Sequence, residues 1–240
     1  MTDRTVRTRP THPVVTSLAK IRAKATSKEE ILDAAEELFA VRGFDGTSMR
    51  EIALEAGVAQ ALLHYHFKTK EGLFEAMFTR RSSAINRIRL ARLDAMLSRG
   101  DMTLEDMVDA LLRPTVEAGH DASRGGRSFA SLILSTSSMS RDWGRDLIQA
   151  SYDQVARRFI AALQLALPGL SVADATWGYL FIIGAGLTQM SPTGRADRLS
   201  DGQTSDQDVE TILSRAVVFS SAGLRAFADG LVARHAAESH

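Results

Sequence analysis

The sequence contains no cysteine among its 240 residues, which excludes disulfide bonds, thiolate nucleophiles and zinc sites built on cysteine. It also lacks an uncharged apolar run of about 18 residues, the length that predicts a membrane-spanning helix. The opening residues, MTDRTVRTRPTHP, have none of the apolar core of a signal peptide. We therefore expect a cytoplasmic protein that does not enter a membrane.

Motifs of the common enzyme classes are absent as well. The chain has no Gly-x-Ser-x-Gly, no phosphate-binding Walker loop, no dinucleotide fingerprint and no His-Glu-x-x-His helix. His64 and His66 are two positions apart on a predicted helix, so their side chains do not share a face, which argues against a metal site. We expect no enzymatic activity, no metal and no cofactor.

Charge is balanced over the whole chain, with 29 basic and 29 acidic residues, but it is unevenly distributed. Residues 1–24 carry six basic side chains against one acidic, whereas residues 25–75 carry five basic against ten acidic. The first segment is rich in Thr, Arg and Pro and has no period, so we interpret residues 1–24 as a disordered basic arm suited to a polyanion. A tail without a role is the alternative interpretation.

The rest of the chain follows the helical period without convincing strand alternation, so we predict an all-α fold. The sequence SKEE at residues 27–30 is a capping box and predicts a helix that starts there and stops at Gly43. Thr47 is predicted to cap a second helix, and Gly57 to supply the positive φ of a sharp turn. A third short helix is predicted over residues 59–66.

Thr69 is predicted to cap a long fourth helix that reaches Gly100. Its apolar face is predicted to carry Leu73, Met77, Ala84, Ile88 and Ala91. Further on, Pro114 interrupts a helix that starts after residue 103, and we expect a kink there.

Two short helices around an Ala-Gly-Val corner form a helix-turn-helix, whose second helix can enter the major groove of DNA. Spacing places Val58, Leu63 and Phe67 toward the core and turns the opposite face outward. The planar fork of Arg50 suits guanine, and neighbouring donors suit phosphates. The predicted DNA contacts are Thr47, Ser48, Arg50, Gln60, Ala61, Leu62, His64, Tyr65 and Lys70.

Residues 27–74 resemble the TetR family of bacterial transcription regulators through ILDAAEELFAVRGFDGTSMREIALEAGV and LHYHFKTKEGLF. The resemblance implies a homodimer that binds a palindromic operator and releases it when a small molecule enters a helical C-terminal domain. Ala59 departs from the family's usual Ser or Thr cap, and His64 from a Tyr that commonly touches phosphate. We accordingly divide the chain into the arm, a DNA-binding domain over residues 25–72 and an effector and dimerisation domain over residues 73–240.

The C-terminal half resembles the fatty-acid- or acyl-responsive branch of that family, through LPGLSVADATWGYLFIIGAGLTQMS and VVFSSAGLRAFA. This resemblance implies a small hydrophobic effector such as a fatty acid or acyl-CoA. Ordinary core packing is the alternative for each candidate pocket residue, since aromatic residues at helical spacing are core by default. The candidates are Phe129, Ile133, Tyr152, Phe159 and Phe181 as lining, with Arg113 or Tyr152 as anchors for a head group.

The segment over residues 171–190 is apolar on nearly every side, so both of its faces need to be covered. The last predicted helix adds small residues that allow a partner helix to approach closely. Burial inside one large monomer core is the alternative. The predicted dimer interface contains Trp177, Phe181, Gly184, Thr188, Ala216, Ser220 and Gly223.

The sequence as a whole predicts a ligand-responsive repressor that binds a double-stranded operator as a homodimer. A helical DNA-binding scaffold controlled by a protein partner, rather than by a small molecule, is the alternative. Neither interpretation needs an enzyme active site.

Overall fold

The computed structural model describes residues 13–121, 126–137 and 142–230. Across these ranges the chain forms ten helices and no strand, which confirms the all-α prediction. The helices are α1 (Pro13–Arg42), α2 (Met49–Glu55), α3 (Gln60–Phe67), α4 (Lys70–Arg99), α5 (Leu104–His120), α6 (Gly126–Ser137), α7 (Asp142–Ala166), α8 (Val172–Thr188), α9 (Arg195–Leu199) and α10 (Val209–Ala228).

The first helix is longer than the sequence pattern predicted. It begins at Pro13, so the predicted disorder is wrong for residues 13–24, and SKEE lies inside the helix instead of capping it. Proline is well suited to a first helical position, and LAKIRAK at residues 18–24 consists of good helix formers, which explains the extension. Residues 1–12 lie outside the described part of the chain. The predicted stop is confirmed by Gly43, whose φ is +71°.

The cap of α2 is one residue later than predicted. The Ser48 hydroxyl accepts a 3.2 Å hydrogen bond from the amide of Glu51, and the Glu51 carboxylate accepts a 2.9 Å bond from the amide of Ser48. Thr47 is instead 2% exposed, and its hydroxyl donates to the Gly43 carbonyl at 2.9 Å. The prediction of Thr47 as cap is wrong because its hydroxyl bonds a carbonyl at the end of α1, where helical partners run out.

The caps of α4 agree with the sequence. The Thr69 hydroxyl accepts a 3.1 Å hydrogen bond from the amide of Gly72, and Gly100 ends the helix with a φ of +73°. The predicted apolar face holds only for the first turns, because Ile88 is 47% exposed and the buried row passes through Arg89 instead. Ala84 is half-buried and Ala91 is exposed. The buried face shifts around the helix since α4 packs on α1 and α3 in its first half and on α5 and α7 further on.

Two clusters of buried apolar side chains fill the described structure. The first joins α1, α2, α3 and the start of α4 to α6 and α7. Its aromatic rings connect the two halves of the chain: the Phe44 and Trp143 centroids are 5.0 Å apart, and those of Phe78 and Phe129 are 5.8 Å apart. The second cluster lies among α4, α5, α7, α8 and α10. Because α4 takes part in both, it is the rigid link between the helix-turn-helix and the C-terminal bundle.

None of the described helices is both long enough and apolar enough to cross a membrane.

Candidate DNA-binding surface and effector cavity

The outer face of α3 has the orientation that its spacing predicted. Leu63 and Phe67 are buried, whereas Tyr65 is 60% exposed. Gln60, Ala61 and His64 are exposed as well, and Leu62 is half-buried. The helix starts at Ala59 without a side-chain cap, as its sequence implies. The exposed side chains form a continuous outer face, and their contact with DNA stays a prediction.

Arg50 extends this surface from α2. Its side chain is exposed, whereas the neighbouring Arg42 guanidinium is bound to the Glu51 carboxylate at 2.6 Å. The hydroxyl and amide of Ser48 together lower the pKa of Glu51, with a smaller contribution from Arg42. Glu51 therefore stays ionised and fixes Arg42, while Arg50 keeps its fork available for a base edge.

The structure gives two predicted phosphate contacts a different role. Thr47 is buried and directs its hydroxyl to the end of α1, so it cannot reach a phosphate. The Lys70 ammonium donates to the carbonyls of Phe44 at 2.9 Å and Thr47 at 3.0 Å, and lies 4.3 Å from the centre of the Phe44 ring. Two of its three donors are thus used within the protein. Lys70 holds the α1–α2 turn against α4, because the carbonyls of that turn need donors.

A strained turn connects α3 to α4. Lys68 has a φ of +64° and a ψ of −59°, and the Thr69 amide donates across it to the Phe67 carbonyl at 2.7 Å. This is a γ-turn of the rare positive-φ kind. A Cβ added at Gly72 would lie 2.6 Å from the Phe67 carbonyl oxygen, so only glycine fits at that position. The orientation of α3 is therefore tied closely to the start of α4.

A cavity of about 370 Å³ lies between α4, α5, α6, α7 and α8 in the C-terminal bundle. Such a volume is within the range of small-molecule sites, which are usually apolar with a few polar groups. The apolar part of its wall is formed mainly by Ile85, Ile133, Ile148, Ile160, Ile183 and Leu187.

Two of the six predicted ligand residues, Ile133 and Tyr152, line this cavity. The prediction is wrong for Phe129 and Phe159, which are almost fully buried in the two apolar clusters and do not reach the cavity. Phe181 is 60% exposed on the outer side of α8, because the helical turn directs it away from the bundle.

Arg113 is also wrong as a head-group anchor. Its guanidinium bonds the Asp109 carboxylate at 3.0 Å and forms further ion pairs with Glu117 and Glu210. The Glu210 and Asp109 hydrogen bonds raise its pKa. Arg113 therefore holds α5 to α10 and faces away from the cavity.

The main polar group of the cavity is Arg89, which the sequence interpretation missed. It is 3% exposed and donates from Nε to the Leu111 carbonyl at 2.9 Å, from Nη1 to Asn86 Oδ1 at 3.3 Å, and from Nη2 to the Thr115 hydroxyl. Burial lowers its pKa. One signal was available: Arg89 lies four residues after Ile85 and four before Leu93, on a row of buried positions.

Two tyrosines also belong to the polar part of the cavity wall, which further includes Thr115, Asp153, Arg157 and Thr176. Burial raises the pKa of Tyr152 to about 12, against an opposing effect of the Arg89 charge. Burial also raises the pKa of Tyr179, and Arg89 opposes it in the same way. Both hydroxyls are therefore protonated donors near neutral pH, next to a permanent positive charge.

Large apolar side chains cover the outer face of α8 and α10. Trp177 is 57% and Phe181 60% exposed, with ring centroids 5.8 Å apart, and Phe219 of α10 is 80% exposed. Gly184, Thr188 and Gly223, also predicted for the interface, are exposed.

Two small residues of α10 depart from the interface prediction. Ser220 is 8% exposed and Ala216 is half-buried, so both face their own subunit instead of a partner. The helical turn places Val218, 68% exposed, and Phe219 outside instead. The outer face of α10 is therefore more apolar and bulkier than the small-residue pattern predicted.

Two family matches cover most of this architecture. Residues 31–77 match the family described as bacterial regulatory proteins, tetR family, and residues 109–223 match the tetracyclin repressor-like C-terminal domain. The first match contains the helix-turn-helix, and the second contains most of the cavity wall. A helix-turn-helix followed by a helical bundle with an internal cavity is the architecture of a one-component regulator. The chain belongs to the TetR family.

Similar proteins are also regulators. The chain is 32% identical over 129 residues to the HTH-type transcriptional regulator RutR of Escherichia coli K12. This match covers 54% of this chain and 58% of RutR. It is 48% identical over 52 residues to the probable regulator YttP of Bacillus subtilis, covering 22% of this chain and 25% of YttP. The chain thus spans less than two thirds of either relative. Domains and relatives alike are transcriptional regulators, not enzymes.

Solved structures share the fold. A tetR-family regulatory protein from Rhodococcus RHA1 has a TM-score of 0.62 at 21% identity and covers 82% of this chain and 96% of its own. FadR of Bacillus subtilis in complex with stearoyl-CoA has a TM-score of 0.53 at 17% identity, with coverages of 79% and 97%. At these identities the likeness concerns the fold alone.

Proposed function

We propose that the protein is a cytoplasmic transcriptional repressor that binds a palindromic operator as a homodimer and is released by a small apolar effector. The observation that carries this proposal is the continuity of α4, which starts directly after the recognition helix and forms a wall of the cavity. Arg89 lies 19 residues beyond Lys70, roughly 28 Å along the helix at 1.5 Å per residue. One rigid element therefore connects the DNA-binding surface to the effector cavity.

DNA binding is assigned to the exposed face of α3 together with Arg50. Arg50, Gln60 and His64 can reach base edges or phosphates, because all three are exposed. The same surface is bordered by Ser48, Ala61, Tyr65 and the half-buried Leu62. Thr47 and Lys70 stabilise the scaffold of this surface and are not among the proposed DNA contacts.

The dimer is assigned to the outer face of α8 and α10. Exposed rings such as Trp177 and Phe219 form an apolar area that neighbouring helices of the same subunit leave uncovered. A second copy turned about a two-fold axis would bury this area and present two recognition helices to the two half-sites of a palindrome. The interface would contain Trp177, Phe181, Gly184, Thr188, Val218, Phe219 and Gly223.

The cavity favours a small-molecule effector over control by a protein partner. Its wall is mostly apolar, which suits a fatty acid or the acyl part of a larger molecule. A related fold, that of FadR, holds stearoyl-CoA. An effector that binds better to one tilt of α4 changes the spacing of the recognition helices, and a coupling of about 1–3 kcal/mol suffices to change occupancy of the operator.

The experiment starts from a pool of random duplexes, because the operator must be identified first. Selection with the purified protein is expected to enrich a palindrome with half-sites about one helical turn apart, and anisotropy titrations then give its affinity. An effector that lowers operator affinity should have its own affinity lowered by the operator by the same factor. Enrichment of no sequence, or of a single unrepeated half-site, would contradict the proposal.

A further inference from the structure

The cavity contains a buried positive charge without an anionic partner. Arg89 is 3% exposed, and among the described residues its hydrogen-bond partners are neutral groups of Leu111, Asn86 and Thr115, with no ion pair. The acidic residue of the cavity wall, Asp153, has Arg157 as its ion-pair partner at 3.7 Å. Burying an unpaired charge is costly, so a buried guanidinium is normally matched by an anion. No acidic group in the described part of the chain pairs with Arg89, so a bound ligand can supply the matching anion.

The hydrogen bonds of Arg89 leave room for such a group. A guanidinium has five N–H donors, and three of them are satisfied by the Leu111 carbonyl, Asn86 and Thr115. One donor remains on each of the two terminal nitrogens. The three satisfied donors fix the plane of the guanidinium from α4 and α5, which pre-organises the two others. A carboxylate has two oxygens that can accept them.

Tyr152 and Tyr179 add neutral donors to the same polar area. Neither hydroxyl has a hydrogen-bond partner in the part of the chain that the structure describes, and both tyrosines sense the Arg89 charge. They come from α7 and α8, whereas Arg89 and its partner Thr115 come from α4 and α5. The guanidinium and the two tyrosines therefore line one cavity, in which each of them can donate a hydrogen bond to a ligand.

We infer that the effector is a carboxylic acid of moderate size whose carboxylate binds Arg89 and whose apolar body fills the isoleucine-lined part of the cavity. This inference rests on the proposed function and specifies the effector class. A cavity of about 370 Å³ is at the small end of the range for small-molecule sites, which suits a free acid of moderate size. The nucleotide part of an acyl-CoA would have to lie outside this cavity.

The test compares the affinities of carboxylates with those of uncharged alcohols that have the same carbon skeleton. Hexanoate, octanoate, decanoate and 4-butylbenzoate are titrated into the full chain by calorimetry, each beside its primary alcohol. The best carboxylate is expected to bind roughly 10- to 100-fold more tightly than its alcohol, since hydrogen bonds to a charged group are worth that factor. Equal affinity within every pair, or no binding of any carboxylate at millimolar concentration, would overturn the inference.

Variants then locate the head group. Arg89→Met is expected to abolish the preference for the acid while keeping affinity for the alcohol, and Arg89→Lys to restore part of it. Arg87→Met, an exposed arginine on the same helix, is the matched control and should leave the preference unchanged. Tyr152→Phe is expected to weaken binding of the acid a few-fold and binding of the alcohol by a smaller factor. A preference that survives Arg89→Met in a folded protein, checked by circular dichroism, contradicts the assignment.

Failure of this inference can be distinguished from failure of the proposed function. If an uncharged compound releases the selected operator and no carboxylate does, the repressor function stands and the head-group assignment is wrong. If a carboxylate binds through Arg89 but operator affinity is unchanged, the assignment stands and effector-controlled release is wrong.

Discussion

The ammonium of Lys70 donates a 3.0 Å hydrogen bond to the carbonyl oxygen of Thr47, directly before the cap of α2. A second bond to the Phe44 carbonyl makes Lys70 a clamp between α4 and the α1–α2 turn. We predict that Lys70→Met lowers the free energy of unfolding by about 1–3 kcal/mol, because two partly buried carbonyls lose a charged donor. Denaturant unfolding measures this loss.

The same variant distinguishes a clamp from a phosphate contact. The salt dependence of operator binding should keep its slope in Lys70→Met, because no phosphate contact is lost. Arg87→Met, which removes an exposed cation of α4, serves as the stability control, with a change within about 0.5 kcal/mol. Unchanged stability together with a weaker salt dependence of operator binding would show that Lys70 contacts a phosphate of the operator and does not stabilise the turn.

Arg50 is the side chain that we expect to read a base. Arg50→Ala should cost about 1–3 kcal/mol of operator affinity and relax specificity at one base pair of each half-site. Arg42→Ala is the control, because its guanidinium is bound to Glu51 and not free to reach DNA. Repeating the duplex selection with both variants measures the effect. A uniform loss of affinity for all sequences in Arg50→Ala would show a phosphate contact instead.

The turn between α3 and α4 leaves no space for a side chain at Gly72. In Gly72→Ala, the new methyl group would lie 2.6 Å from the Phe67 carbonyl oxygen, so the turn has to open. We predict a loss of more than about 1 kcal/mol of stability and weaker operator binding, although alanine is the better helix former. Glu71→Ala, at the exposed neighbouring position, should change stability by less than about 0.5 kcal/mol. A Gly72→Ala protein as stable as the wild type would show that the turn has space to relax.

Local chemistry made much of the fold predictable. Helix ends at Gly43 and Gly100 follow from glycine's tolerance of positive φ, and the outer face of α3 follows from the 3.6-residue period. The orientations of Thr47 and Lys70 were not predictable in this way, because each bonds carbonyls that only the folded α1–α2 turn brings within reach.

The effector cavity was the least predictable part. An aromatic pattern cannot distinguish core from pocket, so Phe129 and Phe159 looked equivalent to Tyr152. Arg89 looked like one more surface charge on α4, since only the packing of α5, α7 and α8 buries it. Buried polar groups depend on which helices meet, and that information lies in tertiary structure rather than in a single helical period.

Gly184 offers a direct test of the proposed dimer. It lies on the exposed side of α8 with Trp177 and Phe181, and a Cβ added to it meets no atom within 4 Å. Gly184→Arg therefore fits the isolated subunit but places a bulky charge in the proposed interface. We predict that sedimentation shows dimers for the wild type and monomers for this variant, with unchanged helical content.

The control for that experiment carries the same added charge at another exposed small residue. Ala91→Arg, on α4, should sediment as a dimer and keep its operator affinity. Operator binding should fall steeply in Gly184→Arg, because a monomer presents one recognition helix to a site with two halves. A wild-type protein that sediments as a monomer at micromolar concentration would rule out the proposed dimer. A Gly184→Arg protein that remains dimeric would place the two-fold axis on another face of the subunit.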